Sequence, residues 1–176
     1  MTLQTKRISL SFILAAIAIL LDRVSKVWVM QHLPLYSEMA PIPALKAYLK
    51  FSHSTNSGVA FGLFQGGTLL FTLIAAVAVI AIAIFIIRVG SQSTLLAASL
   101  GLMLGGAMGN LWDRLVYGSV VDFILVQASE RLVWPNFNVA DSAIVVGTGL
   151  LMLYLFLDER QIRQEARHSE HVEKVL

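Results

Sequence analysis

The stretch Thr68–Ile87, TLLFTLIAAVAVIAIAIFII, runs for 20 residues without a charged side chain and stops at Arg88. A helix of about 20 apolar residues is what the hydrocarbon core of a bilayer requires. This segment is uniformly apolar and decides the class: the chain spans a membrane. Working outward, three further segments are long and apolar enough to cross, at about 8–30, 94–112 and 139–157. With 57% hydrophobic residues, 14% charged residues and a mean hydropathy of +0.74, the 176-residue chain could not cover a soluble surface. Four spans leave little chain for anything else, so residues 1–176 read as a single membrane domain with a polar tail at 158–176.

Composition also excludes. A net charge of +2, with no basic patch interleaved with aromatics, speaks against nucleic acid as a partner. The absence of cysteine removes thiol nucleophiles, disulfides and thiolate-bound metal. Lys6 and Arg7 before the apolar run Ile8–Leu21 look like a secretory signal, but Asp22-Arg23-Val24-Ser25-Lys26-Val27-Trp28 follows in place of a small-residue cleavage site. A retained first helix is expected.

The link Val89–Ser93 is short enough to force spans two and three into an antiparallel hairpin, whereas the connections 31–67 and 113–138 are long. Pro34, Pro41 and Pro43 stop the first helix from continuing. Lys46–Ser54 and Gly58–Phe64 flank the turn signal Asn56-Ser57-Gly58, which predicts a small β-hairpin lying on the bundle. Val120–Val126 suits a strand or a short interfacial helix, and periodicity leaves both open. The expected fold is therefore an all-α polytopic four-helix bundle carrying a small β-sheet cradle.

Lys6, Arg7, Arg88, Arg160, Arg163, Arg167 and Lys174 place seven basic residues on the side of the termini, against Lys46, Lys50, Arg114 and Arg131 opposite. That bias puts both termini in the cytoplasm and both long loops outside.

Charges within spans are expensive and mark function or pairing. Asp22 and Lys26 share one helical face, about 20 Å along the first helix. Span three delivers Asn110, Asp113 and Arg114 at its outer end, and span four begins there with Asn138 and Asp141, while Asp122 lies in the loop between. Plainer readings stand beside each. Asp22 and Lys26 are equally readable as a buried pair fixing helix rotation, Asp113 and Arg114 as an interfacial ion pair, and Asn138 as the cap of span four. Gly101, Gly105 and Gly109 form a small-residue packing stripe. Trp28, Trp112 and Trp134 fit an interfacial belt, and His32 and His53 have no companion at metal-ligand spacing. What is left is Asp122 with Asp141, two carboxylates that at a low-dielectric boundary would share a proton and activate water. A small proton-coupled transporter and a scaffold with structural ion pairs remain rival readings.

The residues also resemble a known family, the lipoprotein signal peptidases (signal peptidase II). Asp22-x-x-x-Lys26, Asn56-Ser57-Gly58-Val59-Ala60-Phe61-Gly62, Gly105-Gly106-Ala107-Met108-Gly109-Asn110-Leu111-Trp112-Asp113-Arg114, Val120-Val121-Asp122-Phe123 and Phe137-Asn138-Val139-Ala140-Asp141-Ser142-Ala143-Ile144 follow its five motifs in order. Asp-x-x-x-Lys alone discriminates nothing; five motifs in sequence do. The resemblance implies that Asp122 and Asp141 are a catalytic dyad. It implies that Asp22, Lys26, Asn56, Asn110, Arg114 and Asn138, with Gly58 and Ala140 among the supporting positions, orient that dyad and hold substrate. It further implies cleavage of prolipoproteins before a diacylglyceryl-modified cysteine, membrane lipid as a neighbour and inhibition by the cyclic lipopeptide globomycin. A monomer without metal or cofactor is expected, in a bacterial inner membrane, with the active site at the extracytoplasmic surface.

Overall fold

The computed structural model describes residues 2–58, 66–90, 92–129 and 132–175, the last ten of these by backbone only. Four helices carry the apolar segments: α1 (Leu3–His32), α2 (Thr68–Val89), α3 (Thr94–Tyr117) and α4 (Val139–Val175). All four are long and apolar enough to cross a membrane. The helices outrun the apolar segments at several ends. Most visibly, α4 continues through the polar tail, where Arg163 pairs with Glu159 one turn away.

Burial ranks the helices. More than half of the apolar span of α3 is inside the protein, against 6% for α2. Hence α3 is the central post, and the uniform apolarity of α2 is that of a helix covered mainly by lipid. Glycine lets α1 close on α3. A methyl group added at Gly105 would come within 2.7 Å of the Ala15 carbonyl oxygen and Ala18 Cβ, one at Gly109 within 2.7 Å of Asp22 Oδ2, and one at Gly101 would strike the Ser11 backbone. The stripe is thus the α1 contact. Gly106, one residue off it, gives α4 the same close approach, against Ala140 and Ile144.

A four-stranded antiparallel sheet, ordered β1-β2-β3-β4, sits at the end of the bundle where α1 stops and α4 starts. Its strands are β1 (Glu38–Met39), β2 (Leu49–Asn56), β3 (Val120–Ser129) and β4 (Leu132–Val133). Val120–Val126 therefore resolves as strand, not interfacial helix. The first half of the expected hairpin, 46–54, lies largely in β2, which pairs with β1 and β3. Residues 59–65, the second half of that hairpin and of the Asn56–Gly62 motif, lie outside the described residues, as do Glu130 and Arg131. Phe123 packs with Val29 and Leu33, and Phe51, Ile124 and Val139 close round them, which fixes the sheet to the bundle.

Candidate active site

Each polar residue singled out in the sequence can now be placed. Asn138 immediately precedes α4, and its Oδ1 accepts the Asp141 N–H at 2.8 Å while Asp141 Oδ2 accepts the Asn138 N–H at 3.2 Å. This reciprocal capping box satisfies donors that the helix start leaves open and puts a carboxylate at the positive end of the helix. Another open donor, the Ala140 N–H, goes to Asp22 Oδ1 at 3.0 Å.

Asp122 arrives on β3 beside a bulge. Between Phe51–Ile124 and Ser54–Asp122 the β2 strand has one residue more than β3, a device that re-aims side chains. Asp122 Oδ1 accepts from Asn138 Nδ2 at 2.7 Å and Oδ2 from Asn56 Nδ2 at 3.2 Å. Asn56 Oδ1 in turn takes the Gly58 N–H at 3.0 Å. Asn110 Nδ2 donates to Asp141 Oδ1 at 2.7 Å, and its Oδ1 accepts from Asn138 Nδ2 at 3.1 Å. The two aspartates are thus bridged by Asn138 and Asn110, through amides and, among the described residues, no cation. Burial of Asp122, only 4% exposed, pushes its carboxyl up to about 7, and the charge of Asp141 adds to that; the Asn56 and Asn138 amides and Lys26 oppose it.

A second charged cluster lies behind. Lys26 Nζ is 2.8 Å from Asp22 Oδ2, 2.8 Å from Asp113 Oδ2 and 3.3 Å from Asn110 Oδ1, so its three donors are used. Asp22, Lys26 and Asp113 are fully buried. The expected pairing of Asp113 with its neighbour Arg114 does not occur, because consecutive helical residues point apart. Asp113 instead meets Lys26 and Arg23. Arg114 reaches forward, donating to the Gly58 carbonyl at 3.1 Å.

A cavity of about 570 Å³ opens on the dyad, lined by Asn56, Asn110, Arg114, Asp122 and Asp141 among the polar groups. Its apolar wall includes Ile144, Val145 and Val146 of α4, of which Val145 and Val146 are largely exposed, so the cavity opens sideways along the span. Sequence reasoning missed three residues. Trp134 lines the cavity and is more than a belt residue. Asn136 donates to the Ser52 and Ser54 hydroxyls across the sheet at 3.0 and 2.8 Å. Arg23, a charge within a span, pairs with Asp113.

The fold and site define a polytopic membrane protein with two carboxylates held by shared amides in a cavity walled on one side by exposed apolar residues of a span. Residues 14–157 match the family model of signal peptidase (SPase) II. The chain is 42% identical over 152 residues to a lipoprotein signal peptidase of Symbiobacterium thermophilum, covering 86% of this chain and 97% of that protein. It is 38% identical over 160 residues to one of Pseudomonas aeruginosa, covering 89% and 92%. A solved bacterial membrane enzyme superposes with a TM-score of 0.76 at 28% identity, over 85% of this chain and 88% of that one. This chain belongs to the signal peptidase II family, a family of peptidases.

Proposed function

We propose that this protein is an aspartyl endopeptidase that removes signal peptides from prolipoproteins, cutting before a diacylglyceryl-modified cysteine, with Asp122 and Asp141 as the catalytic pair. The observation that carries the reading is the shared setting of the two carboxylates, bridged by Asn138 and walled on one side by exposed apolar residues of α4. With Asp122 raised to about 7, the pair holds one proton between them near neutral pH. The ionised carboxylate takes a proton from water, and the hydroxide formed adds to the scissile carbonyl carbon. The protonated carboxyl gives its proton to the carbonyl oxygen. Return of a proton to the peptide nitrogen then breaks the C–N bond and frees the cysteine amine, with no covalent enzyme intermediate.

Asn56, Asn110, Asn138 and Arg114 orient the carboxylates and offer donors to the peptide, while Asp22 and Lys26 hold the frame behind them and Ala140 and Gly58 supply backbone groups. Acyl chains that stay in the bilayer against Val145 and Val146 deliver the bond to the dyad, so proximity substitutes for extensive sequence recognition. Globomycin would occupy the same cavity. The positive-inside bias puts the termini in the cytoplasm and this site at the extracytoplasmic face of a bacterial inner membrane, and a monomer contains every residue the reaction uses. The test is cleavage by purified protein in lipid of a diacylglyceryl-cysteine peptide beside its unlipidated twin. The lipidated peptide should turn over far faster; equal rates would sink the lipid-delivery part, and no cleavage of either would sink the peptidase reading.

A further inference from the structure

The buried ionic cluster ends on two backbone amides whose places in the chain are informative. Asp113 Oδ2 accepts the N–H of Val121 at 3.1 Å, and Val121 immediately precedes Asp122. Asp22 Oδ1 accepts the N–H of Ala140, and Ala140 immediately precedes Asp141. One ammonium, Lys26, joins the two holders. At Val121 the β3 strand has β2 on one edge, while on the other the backbone pairing reaches back only to Ile124, bridged to Phe137, and the Asn138 amide takes the Val121 carbonyl at 3.3 Å. Asp113 takes the donor that a further strand would have taken. Its other oxygen is held by Arg23, whose Nη2 donates to Oδ1 and whose guanidinium lies 5.9 Å from the centre of the Tyr117 ring. Neither Asp113 nor Arg23 lines the cavity.

We infer that Asp113 and Arg23 are positioning residues that act through the Val121 N–H, fixing the strand that carries Asp122 against the helix start that carries Asp141 and so setting the spacing of the two carboxylates. The inference rests on the dyad reading above. Loosening this hold lets Asp122 drift on β3 while Asp141 stays in its capping box.

The groups facing Asp122 are Asp141 from α4, Lys26 from α1, Arg114 from α3, Asn56 from β2 and Asn138. In Asp113→Asn the repulsion from Asp141 weakens with distance, and Lys26, released from one carboxylate, acts more strongly on Asp122. Both changes favour ionisation of Asp122, so the basic limb of the pH–rate profile moves to lower pH.

The experiment compares wild type, Asp113→Asn and Asp122→Asn in lipid on a lipidated peptide, with kcat, KM, the pH profile and the melting temperature measured for each. For Asp113→Asn, kcat should fall roughly 10-fold, within the loss expected for a misplacement of under 1 Å. KM should stay within about 2-fold, and the basic limb should shift to lower pH. A limb that stays in place in folded Asp113→Asn enzyme, with or without a lower melting temperature, overturns the positioning role. If that variant does not accumulate folded, Arg23→Gln, which removes only the partly exposed end of the hold, is read by kcat against KM: a fall in kcat with KM within about 2-fold supports the role, and an unchanged kcat overturns it. An Asp122→Asn enzyme that cleaves overturns the dyad reading and this inference with it. An immobile limb beside an inactive Asp122→Asn enzyme overturns the positioning role alone.

Discussion

Two pairs of aspartates lie close together here, and the protein treats them in opposite ways. Asp22 and Asp113 are fully buried and share one ammonium, with a guanidinium added on Asp113. Among the described residues, Asp122 and Asp141 receive side-chain amides and no direct cation. In the first pair, charge is matched by charge at short range, and the reward is a rigid frame. In the second, amides fix geometry without neutralising the charge. Burial and mutual repulsion are therefore left to act on the proton of Asp122. Carboxylates of identical chemistry are thus given different settings according to whether a cation sits against them, and only the second setting suits the proposed proton transfer.

That contrast breaks most visibly if the proposed reagent pair is made inert. Asp122→Asn and Asp141→Asn keep the shape and lose the proton shuttle, so each should lower cleavage by on the order of 10²–10⁴-fold or beyond detection. The double variant should be little worse, because the pair acts as a unit. Rates on a lipidated peptide check this, and an active single variant ends the assignment. The frame pair should fail differently. Lys26→Met leaves two buried carboxylates without their shared cation, which costs about 3–5 kcal/mol. The expected readout is loss of folded yield or a large fall in melting temperature in detergent; a variant as stable as wild type would deny the frame its role.

A pH titration of stability sharpens the comparison further. The Asp122 carboxyl lies at about 7 when folded against 3.8 as its ordinary value, so the folded state binds more protons in that window. Its contribution is present at low pH and is lost as pH rises through 7. Between pH 6 and pH 8 the loss should be roughly 1–2 kcal/mol. Asp122→Asn should flatten that part of the melting-temperature profile, and an unchanged slope would mean the proton is held elsewhere. The smallest effect belongs to Asn56→Ala. Losing one 3.2 Å amide contact to Asp122 should cost about 1 kcal/mol, or roughly 5-fold in turnover. Because that amide favours the ionised form, the basic limb should move to higher pH, opposite to Asp113→Asn.

The apolar segments and the glycine stripe were legible because lipid and close helix contact each impose a composition. A span such as Thr68–Ile87 has to be apolar throughout. Stripe residues such as Gly105 have to be small where another backbone comes within contact distance. Motif order made the family legible as well. The partner of Asp113 was not, because chain adjacency suggested Arg114 whereas helical geometry sends neighbours to different faces. The β2–β3 pairing was missed for a related reason. Asn56-Ser57-Gly58 reads as a hairpin turn, while the strand that pairs with β2 lies more than sixty residues away, and long-range pairing leaves no local signature. Arg23 was legible in principle, as a charge within a span.

The capping box at Asn138 has a mechanical consequence. Asp141 is tied by its side chain and its own N–H to Asn138, and Ala140 is tied to Asp22. The first turn of α4 would have to unwind before Asp141 could travel. Asp122 rides on a strand held by bulged β2 on one edge and, on the other, by Asp113 at the Val121 N–H and by Asn138 at the Val121 carbonyl. Asn138 is therefore the pin between the two halves: any play between the strand that carries Asp122 and the helix that carries Asp141 has to break the contacts of this one amide.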